Sequence, residues 1–221
     1  MSNNPETMRD AYVAKLEQFD KDGAVQYALS LLESGEASIP VLYEQVLAPA
    51  LNRIEIPRCD EDCMIWREHM MSHIVRTTIE AAHPYVQKER EKAGDANMGL
   101  LVMLVCPQEE YHEMGMRMGS DFFAMEGYQV AYIGCNTPRD TLLDAAKTLK
   151  PQIVSIGVTN YLNLAQLPFL VGALKALSPA PAVYLSGSAL EHTGKQAEDF
   201  GADGILTTYA SIKALSEGQK A

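Results

Sequence analysis

A carboxylate, an imidazole and a glycine follow directly after a strongly apolar run near the middle of the chain. The run "GLLVMLV" ends at Val105, and the next ten residues are "CPQEEYHEMG". A metal-bound histidine commonly donates its second ring N–H to a carboxylate, which fixes the tautomer and raises the basicity of the ligand. Glu110 is placed to do this for His112, and Gly115 leaves room for a ligand near the backbone. The spacing therefore suggests a metal-ligating histidine. The competing interpretation is an ordinary polar residue at the acidic start of a helix.

The elements that would position this histidine alternate between short apolar runs and amphipathic stretches. Over residues 98–221 the β-like runs are "MGLLVMLVC", "YQVAYIG", "PQIVSIGVT", "PAVYLSG" and "DGILTT". Helical periodicity lies between or after them, at 112–127, 138–149, 163–177, about 190–200 and 209–217. This alternation predicts an α/β domain with a five-stranded parallel sheet covered by helices. Ligands of such sheets bind at the carboxyl ends of the strands, where His112 is expected. We expect the methionines at 114, 116 and 118 to pack the first of these helices.

The first 90 residues lack the alternation of strands and have helical spacing throughout. Apolar residues recur every three or four positions in "PETMRDAYVAKLEQF", and three further helical stretches follow. Pro84 is expected to end or kink the last of these helices. The sequence thus predicts a four-helix bundle over residues 1–90 and a polar linker at about 88–97.

The histidine motif resembles that of a known family. The pattern Glu110-x-His112-x-x-Gly115 is similar to the Asp-x-His-x-x-Gly motif of cobalamin-binding domains, with Glu in place of Asp. It looks most like the cobalamin-binding region of MerR-type light-sensing transcriptional regulators. The resemblance implies a flavodoxin-like domain that binds cobalamin with its own base displaced. His112 would then be the lower cobalt ligand.

The same resemblance identifies where the displaced nucleotide tail would pass. Gly157 and Thr159 fall at the positions of the family's Ser-x-Leu, and Ser186 and Gly187 fall at its Gly-Gly. All four residues are small or polar. The resemblance therefore implies that they line the path of the tail, although its hydrogen bonds must differ from those of the family pattern.

The helical region resembles the cap that covers the upper face of the cofactor in the light sensors. Glu68-His69 matches the Glu-His of their Trp-x9-Glu-His motif, but Arg58 stands where the Trp would fall. Trp66, His69 and His73 share one helical face, which can equally be a packing face. We expect weak discrimination between upper ligands, with His69 or His73 as a candidate upper ligand to the cobalt. The identity of the upper ligand stays open.

Composition limits the function classes. The chain has 221 residues and a formal net charge of −11. It lacks the surplus of Lys and Arg that drives binding to nucleic acid, so we expect no direct contact with DNA. Neither a signal peptide nor an apolar run of about 18 residues occurs in the sequence, which favours a cytoplasmic protein that does not span a membrane.

Three functions remain open at this stage. The first is a cobalamin-binding sensor, such as a photoreceptor, that signals to a regulatory protein partner or changes its own oligomeric state. The second is a corrinoid methyl carrier that serves a partner methyltransferase and is not an enzyme by itself. The third is a haem-binding sensor of the same fold, which the histidines at 69, 73 and 112 allow.

Overall fold

The computed structural model describes residues 4–53, 61–93 and 99–219. The chain divides into two compact units between Lys88 and Glu89, one helical and one built on a sheet. The linker suggested by the sequence, 88–97, falls partly outside the described residues. Its first residues belong to a helix that ends at Ala93.

The described part of the helical unit contains four helical segments. Their bounds are α1 Pro5–Glu17, α2 Lys21–Glu33, a continuous run of α3 Ile39–Val41, a π-helical turn Leu42–Leu47 and α4 Ala48–Asn52, and α5 Glu61–Ala93. The side chains of Asn4, Asp20 and Ser38 each accept a hydrogen bond from a backbone amide in the first turn of the helix that follows. Such caps satisfy donors that the helix itself cannot pair.

A buried polar contact joins the first and last of these segments. The hydroxyl of Tyr12 lies 2.8 Å from that of Thr78, and both side chains are fully buried. Helix α5 continues past Pro84 to Ala93, so Pro84 does not end it. A proline inside a helix removes one backbone hydrogen bond. In α5 the helix nevertheless continues on both sides of Pro84.

The second unit contains the parallel sheet that the sequence predicts. Its strands are β1 Leu101–Pro107, β2 Gln129–Thr137, β3 Ile153–Gly157, β4 Ala182–Ser186 and β5 Gly204–Ile205. The spatial order is β2-β1-β3-β4-β5, and every pair is parallel. This order is flavodoxin-like, and it reverses direction between β1 and β3. Ligands of such folds bind in the crevice outside the carboxyl ends of the strands at this reversal.

Helices follow the strands along the chain. They are α6 Met114–Met125, α7 Arg139–Leu149, α8 Leu167–Lys175, α9 Ser188–Thr193 and α10 Tyr209–Gly218. The helix expected at 190–200 is instead α9 and a separate 3₁₀ turn at Ala197–Phe200, because Gly194 adopts a left-handed conformation between them. The helix expected at 163–177 is likewise divided, into a 3₁₀ turn at Tyr161–Ala165 and α8.

Apolar side chains from the sheet and its helices form the core of this unit. Val154 and Ile156 of β3, Leu185 of β4, Leu142 of α7 and Leu174 of α8 belong to one buried cluster. Among the residues described, no helix is both long and apolar enough to cross a bilayer.

Candidate functional site

Glu110 and His112 form a carboxylate–imidazole pair in the loop after β1. Oε1 of Glu110 lies 2.6 Å from Nδ1 of His112 and accepts a second hydrogen bond from the His112 backbone amide at 3.2 Å. The Glu110 side chain is fully buried, whereas 65% of the His112 side chain is exposed. The buried carboxylate therefore fixes the orientation of the ring through Nδ1. Nε2 is the ring nitrogen suited to ligating a metal.

The second oxygen of Glu110 is held by the loop after β3. Oε2 accepts hydrogen bonds from the backbone amides of Thr159 at 2.8 Å and Asn160 at 2.6 Å. The side-chain amide of Asn163 lies 3.5 Å from the same oxygen. Glu110 thus bridges the two loops that flank the reversal of strand order between β1 and β3.

These contacts keep the Glu110 carboxyl ionised. Burial alone would raise its pKa, but the hydrogen bonds from the His112 ring and from the backbone amides outweigh burial and lower the pKa to about 2. A carboxylate that is ionised at neutral pH and faces Nδ1 favours the tautomer in which Nδ1 carries the proton. A metal would then meet the unprotonated Nε2.

Two asparagines fix the backbone of the motif loop. The amide of Glu109, a residue with φ 62°, donates to Oδ1 of Asn136 at 3.0 Å, and the amide of Asn136 donates to the Glu110 carbonyl at 2.9 Å. Nδ2 of Asn160 reaches the Glu109 carbonyl at 3.3 Å. Asn136 comes from the end of β2 and Asn160 from the loop after β3, so the loop is held from both neighbouring strands.

The carboxyl ends of β3 and β4 approach each other closely where the sequence places small residues. Gly187 has φ 108°, and a Cβ atom there would lie 2.2 Å from the Val158 carbonyl oxygen. The Val158 amide donates to the Ser186 carbonyl at 2.8 Å. Gly157, Thr159, Ser186 and Gly187 therefore lie at or just after adjacent strand ends.

The residue after His112, Glu113, anchors the start of α6. Glu113 accepts a hydrogen bond of 2.8 Å from the Tyr132 hydroxyl and forms an ion pair of 3.2 Å with Arg117. The Arg117 guanidinium lies 5.1 Å from the centre of the Tyr132 ring. Gly115, in the first turn of α6, is exposed, and a Cβ atom there would meet nothing within 4 Å. A bulky group can thus approach this turn.

The nearby Cys106 is unsuited to bind metal as a thiolate. It is fully buried, and burial raises the pKa of its thiol to about 12. The thiol lies 4.0 Å from the His112 carbonyl oxygen. Around this loop, His112 is the side chain whose exposure and hydrogen bonding fit a metal ligand.

The remaining predicted residues lie on α5 of the helical unit. Trp66 and His73 are exposed, and the Trp66 ring packs 5.8 Å from the Phe19 ring. His69, whose side chain is 72% exposed, places Nδ1 2.6 Å from a carboxylate oxygen of Glu68. Glu68 also accepts a hydrogen bond from Ser72. Arg58 lies outside the described residues. Any role of these residues in contacting a cofactor stays a prediction.

Several residues that build the site escaped the sequence analysis. They are Asn136, Asn160 and Asn163, which hold the motif loop or its carboxylate, and Met116, which covers Gly157. The asparagines carry a usable signal, since amide side chains stand at the end of β2 and after β3, at the edge where ligands bind. Met116 has no such signal, because a methionine in an amphipathic helix predicts only packing.

The sequence and the fold both match known proteins. Residues 100–213 match the family described as "B12 binding domain". An alignment of 131 residues is 26% identical to the HTH-type transcriptional repressor CarA of Myxococcus xanthus and covers 57% of this chain and 42% of that protein. The chain therefore spans less than half the length of this relative. The structure of the monomethylamine corrinoid protein of Methanosarcina barkeri has the same fold, with a TM-score of 0.75, 15% identity and 96% coverage of both chains.

Proposed function

We propose that this chain, which belongs to the B12 binding domain family and binds cobalamin, holds the cofactor through His112 and acts as a sensor module. A bound corrinoid would supply a cobalt ion that can exchange a ligand, and His112 would hold that ion. His112 is the proposed lower axial ligand. The observation that carries this proposal is the buried Glu110 carboxylate 2.6 Å from Nδ1 of an exposed His112.

Glu110 supports this role by what it does to the imidazole. Its charge keeps the proton on Nδ1 and strengthens Nε2 as a donor to cobalt. The hydrogen bonds that it accepts from the amides of Thr159 and Asn160 hold the carboxylate in place. Binding a ligand therefore costs little further conformational entropy at this side chain. Neutral imidazole is a good ligand for cobalt, whereas a solvated carboxylate would suit harder ions.

The strand ends provide a path for the lower nucleotide. Gly157, Thr159, Ser186 and Gly187 are proposed to line it, because they lie together at the carboxyl ends of β3 and β4. Gly187 permits the close approach of the two strand ends that any larger residue would prevent. Gly115 is proposed to accommodate the edge of the corrin ring near His112.

The helical unit carries the residues proposed for the upper side. Trp66, Glu68, His69 and His73 are proposed to contact the cofactor or its upper ligand, with His69 or His73 as a ligand when no alkyl group is bound. The similarity to a cobalamin family supports a corrinoid rather than haem as the group that these histidines meet.

The sensor role rests on the relative and on the charge of the chain. The matched relative is a transcriptional repressor, and this chain is acidic, with a net charge of −11. A change of upper ligand would therefore be passed to a protein partner, such as a regulator, or to a second copy of the chain, rather than directly to DNA.

The lower ligand is tested by paramagnetic resonance of the cobalt(II) form. Protein labelled with ¹⁵N-histidine and loaded with reduced cobalamin should show a doublet splitting from one axial nitrogen in place of the ¹⁴N triplet. His112→Ala should remove the protein-derived splitting, whereas the exposed His192→Ala should keep it. A label-dependent splitting that survives His112→Ala would show that another residue is the ligand.

A second candidate is a corrinoid methyl-carrier protein. The observation that favours it is architectural, since the likeness to the monomethylamine corrinoid protein extends over 96% of both chains. The two candidates differ in their response to light. A sensor loaded with adenosylcobalamin or methylcobalamin should change its oligomeric state or its partner affinity after green illumination. A carrier should instead exchange methyl groups with a methyltransferase in the dark.

A further inference from the structure

Met116 fills the space above Gly157 at the carboxyl end of β3. The Met116 side chain is nearly fully buried, and a Cβ atom on Gly157 would lie 2.5 Å from its Cγ and 2.7 Å from its Sδ. The Ser186 hydroxyl donates to the Met116 sulfur at 3.1 Å. The same virtual Cβ would lie 3.4 Å from Sγ of Cys106. The Met116 side chain from α6 therefore occupies the space between the ends of β1, β3 and β4.

The absence of a side chain at position 157 makes this arrangement possible. With Ser at that position, its Cβ would overlap the present place of the Met116 side chain. Methionine is unbranched and has three rotatable bonds, so it fills irregular gaps and can leave them by rotamer changes alone. Two neighbours of Met116 at this position are the neutral Ser186 hydroxyl, which donates to its sulfur, and Gly157, and a rotation of the Met116 side chain can break both contacts.

We infer that Met116 is a displaceable plug that makes this chain discriminate between corrinoids with and without a lower nucleotide. The inference rests on the proposed function, in which the nucleotide passes along Gly157 and Ser186. A complete cobalamin must move Met116 out of its contacts before its nucleotide can enter. A cobinamide, which has the same corrin ring and no nucleotide, can reach His112 while Met116 stays in place. Met116 is thus a specificity-determining residue that lowers the affinity for complete corrinoids.

The inference is tested by comparing two ligands on three proteins. Dissociation constants for hydroxocobalamin and for the corresponding cobinamide are measured by absorption titration on wild type, Met116→Ala and Met118→Ala. Met118 is the matched control, because it is a buried methionine of the same helix, whereas the atoms nearest to a Cβ on Gly157 belong to Met116 and Cys106. In Met116→Ala the preference for cobalamin over cobinamide should rise on the order of tenfold, since a buried methionine need no longer leave apolar contacts. In Met118→Ala the preference should stay that of wild type.

A spectroscopic measurement on the wild-type protein covers the case in which Met116→Ala fails to fold. With ¹³C-methyl-labelled methionine, the resonance of Met116 should shift strongly on adding hydroxocobalamin and little on adding cobinamide. Assignment follows from the signal lost in Met116→Leu, which keeps an apolar side chain of similar volume. The methyl signal of Met118 serves as the internal control.

The outcomes separate this inference from the proposed function. Suppose that both corrinoids bind through His112, but that the preference is unchanged in Met116→Ala or the Met116 methyl resonance responds equally to both ligands. The proposal that Met116 is a plug is then wrong, and the proposal that His112 is the lower ligand is unaffected. If His112→Ala leaves the binding of both corrinoids unchanged while Met116→Ala changes the preference, the assignment of His112 as the lower ligand is wrong. The proposal that Met116 is a plug is then supported. If neither corrinoid binds to the wild-type chain, both proposals are wrong.

Discussion

Oε1 of Glu110 lies 2.6 Å from Nδ1 of His112, although Glu110 is fully buried and His112 is mostly exposed. The pair therefore spans the boundary between the interior of the sheet unit and its surface. The buried partner is bound by the loop after β3, so the position of the exposed ring depends on residues about 50 positions further along the chain. This connection is the basis of the first prediction.

Replacing Glu110 with Gln should destabilise the sheet unit and weaken corrinoid binding. Both carboxylate oxygens accept hydrogen bonds, whereas an amide has one accepting oxygen and one donating nitrogen. One set of donors must lose its acceptor, which should lower the free energy of unfolding by about 1–3 kcal/mol. Loss of the carboxylate behind the ligand should reduce affinity about 10–100-fold. Denaturant unfolding and absorption titration would measure the two effects.

The neighbouring acid supplies the control for that variant. The Glu109 side chain is exposed, and the hydrogen bonds of this residue with Asn136 and Asn160 run through its backbone. Glu109→Gln should therefore leave both stability and affinity close to those of wild type. Equal losses in the two variants would mean that the charge of the loop matters and that the geometry of Glu110 does not.

Gly187→Ala should be strongly destabilising. The residue has φ 108°, and the new Cβ would lie 2.2 Å from a backbone oxygen, which cannot move as a side chain can. We expect a loss of about 3 kcal/mol or more in the free energy of unfolding, measured by urea denaturation. Gly172→Ala is the control, because Gly172 lies within α8 and its Cβ would meet nothing within 4 Å. That variant should be neutral or slightly more stable, since alanine favours a helix interior.

Asp203 should make stability depend on acidic pH. Burial would raise its pKa, but the hydrogen bonds from Lys175 and from the Val183 amide, each 2.7 Å long, outweigh burial and lower the pKa. A carboxyl whose pKa is lower in the folded state contributes stability at neutral pH. That contribution declines as the pH falls below the unfolded value of about 4 and is lost once the pH passes the folded pKa.

The variant Asp203→Ala isolates this contribution. At pH 7 it should unfold about 1–2 kcal/mol more easily than wild type, mainly through the loss of the bond to the Val183 amide. The difference should shrink as the pH is lowered below about 4. Asp144→Ala, at an exposed position of α7, should show little difference at either pH. A constant difference between Asp203→Ala and wild type down to pH 2 would show that charge on Asp203 is not responsible.

The purified chain should not bind duplex DNA at about 0.15 M salt. Its net charge of −11 leaves no surplus of cations to neutralise phosphates and release counterions. Fluorescence anisotropy with a labelled duplex, with and without cobalamin, would measure this. Tight binding that weakens steeply with salt would identify a basic surface and would remove the need for a protein partner.

The sheet and the histidine pair could be predicted because their signals are local. The run "GLLVMLV" becomes the buried β1, and Glu110 lies two residues before His112, so both features lie within a few positions of sequence. Helix bounds were less accurate where a single residue decides the backbone. Gly194 divides the helix expected at 190–200 through its left-handed conformation. Pro84 lies inside a helix that continues beyond it.

The rest of the site could not be predicted because it depends on contacts between distant residues. Backbone amides at Thr159 and Asn160 hold Glu110, and a backbone donor leaves no mark in the choice of side chain. Met116 and Gly157 complement each other across 41 positions of sequence, and this fit exists only after α6 packs on the sheet.

The irregular pairing of β2 has a consequence for the behaviour of the protein at high concentration. β2 forms one edge of the sheet, and an edge strand of nine residues is a template for pairing with another molecule. Its register with β1 shifts twice, after Leu104 and after Val105, and the second shift falls between Gly134 and Thr137 of β2, the stretch from which Asn136 reaches the motif loop. Such bulges twist an edge away from flatness and interrupt its regular row of donors and acceptors. The irregularity that brings Asn136 to the motif loop should therefore also protect the chain from edge-to-edge aggregation.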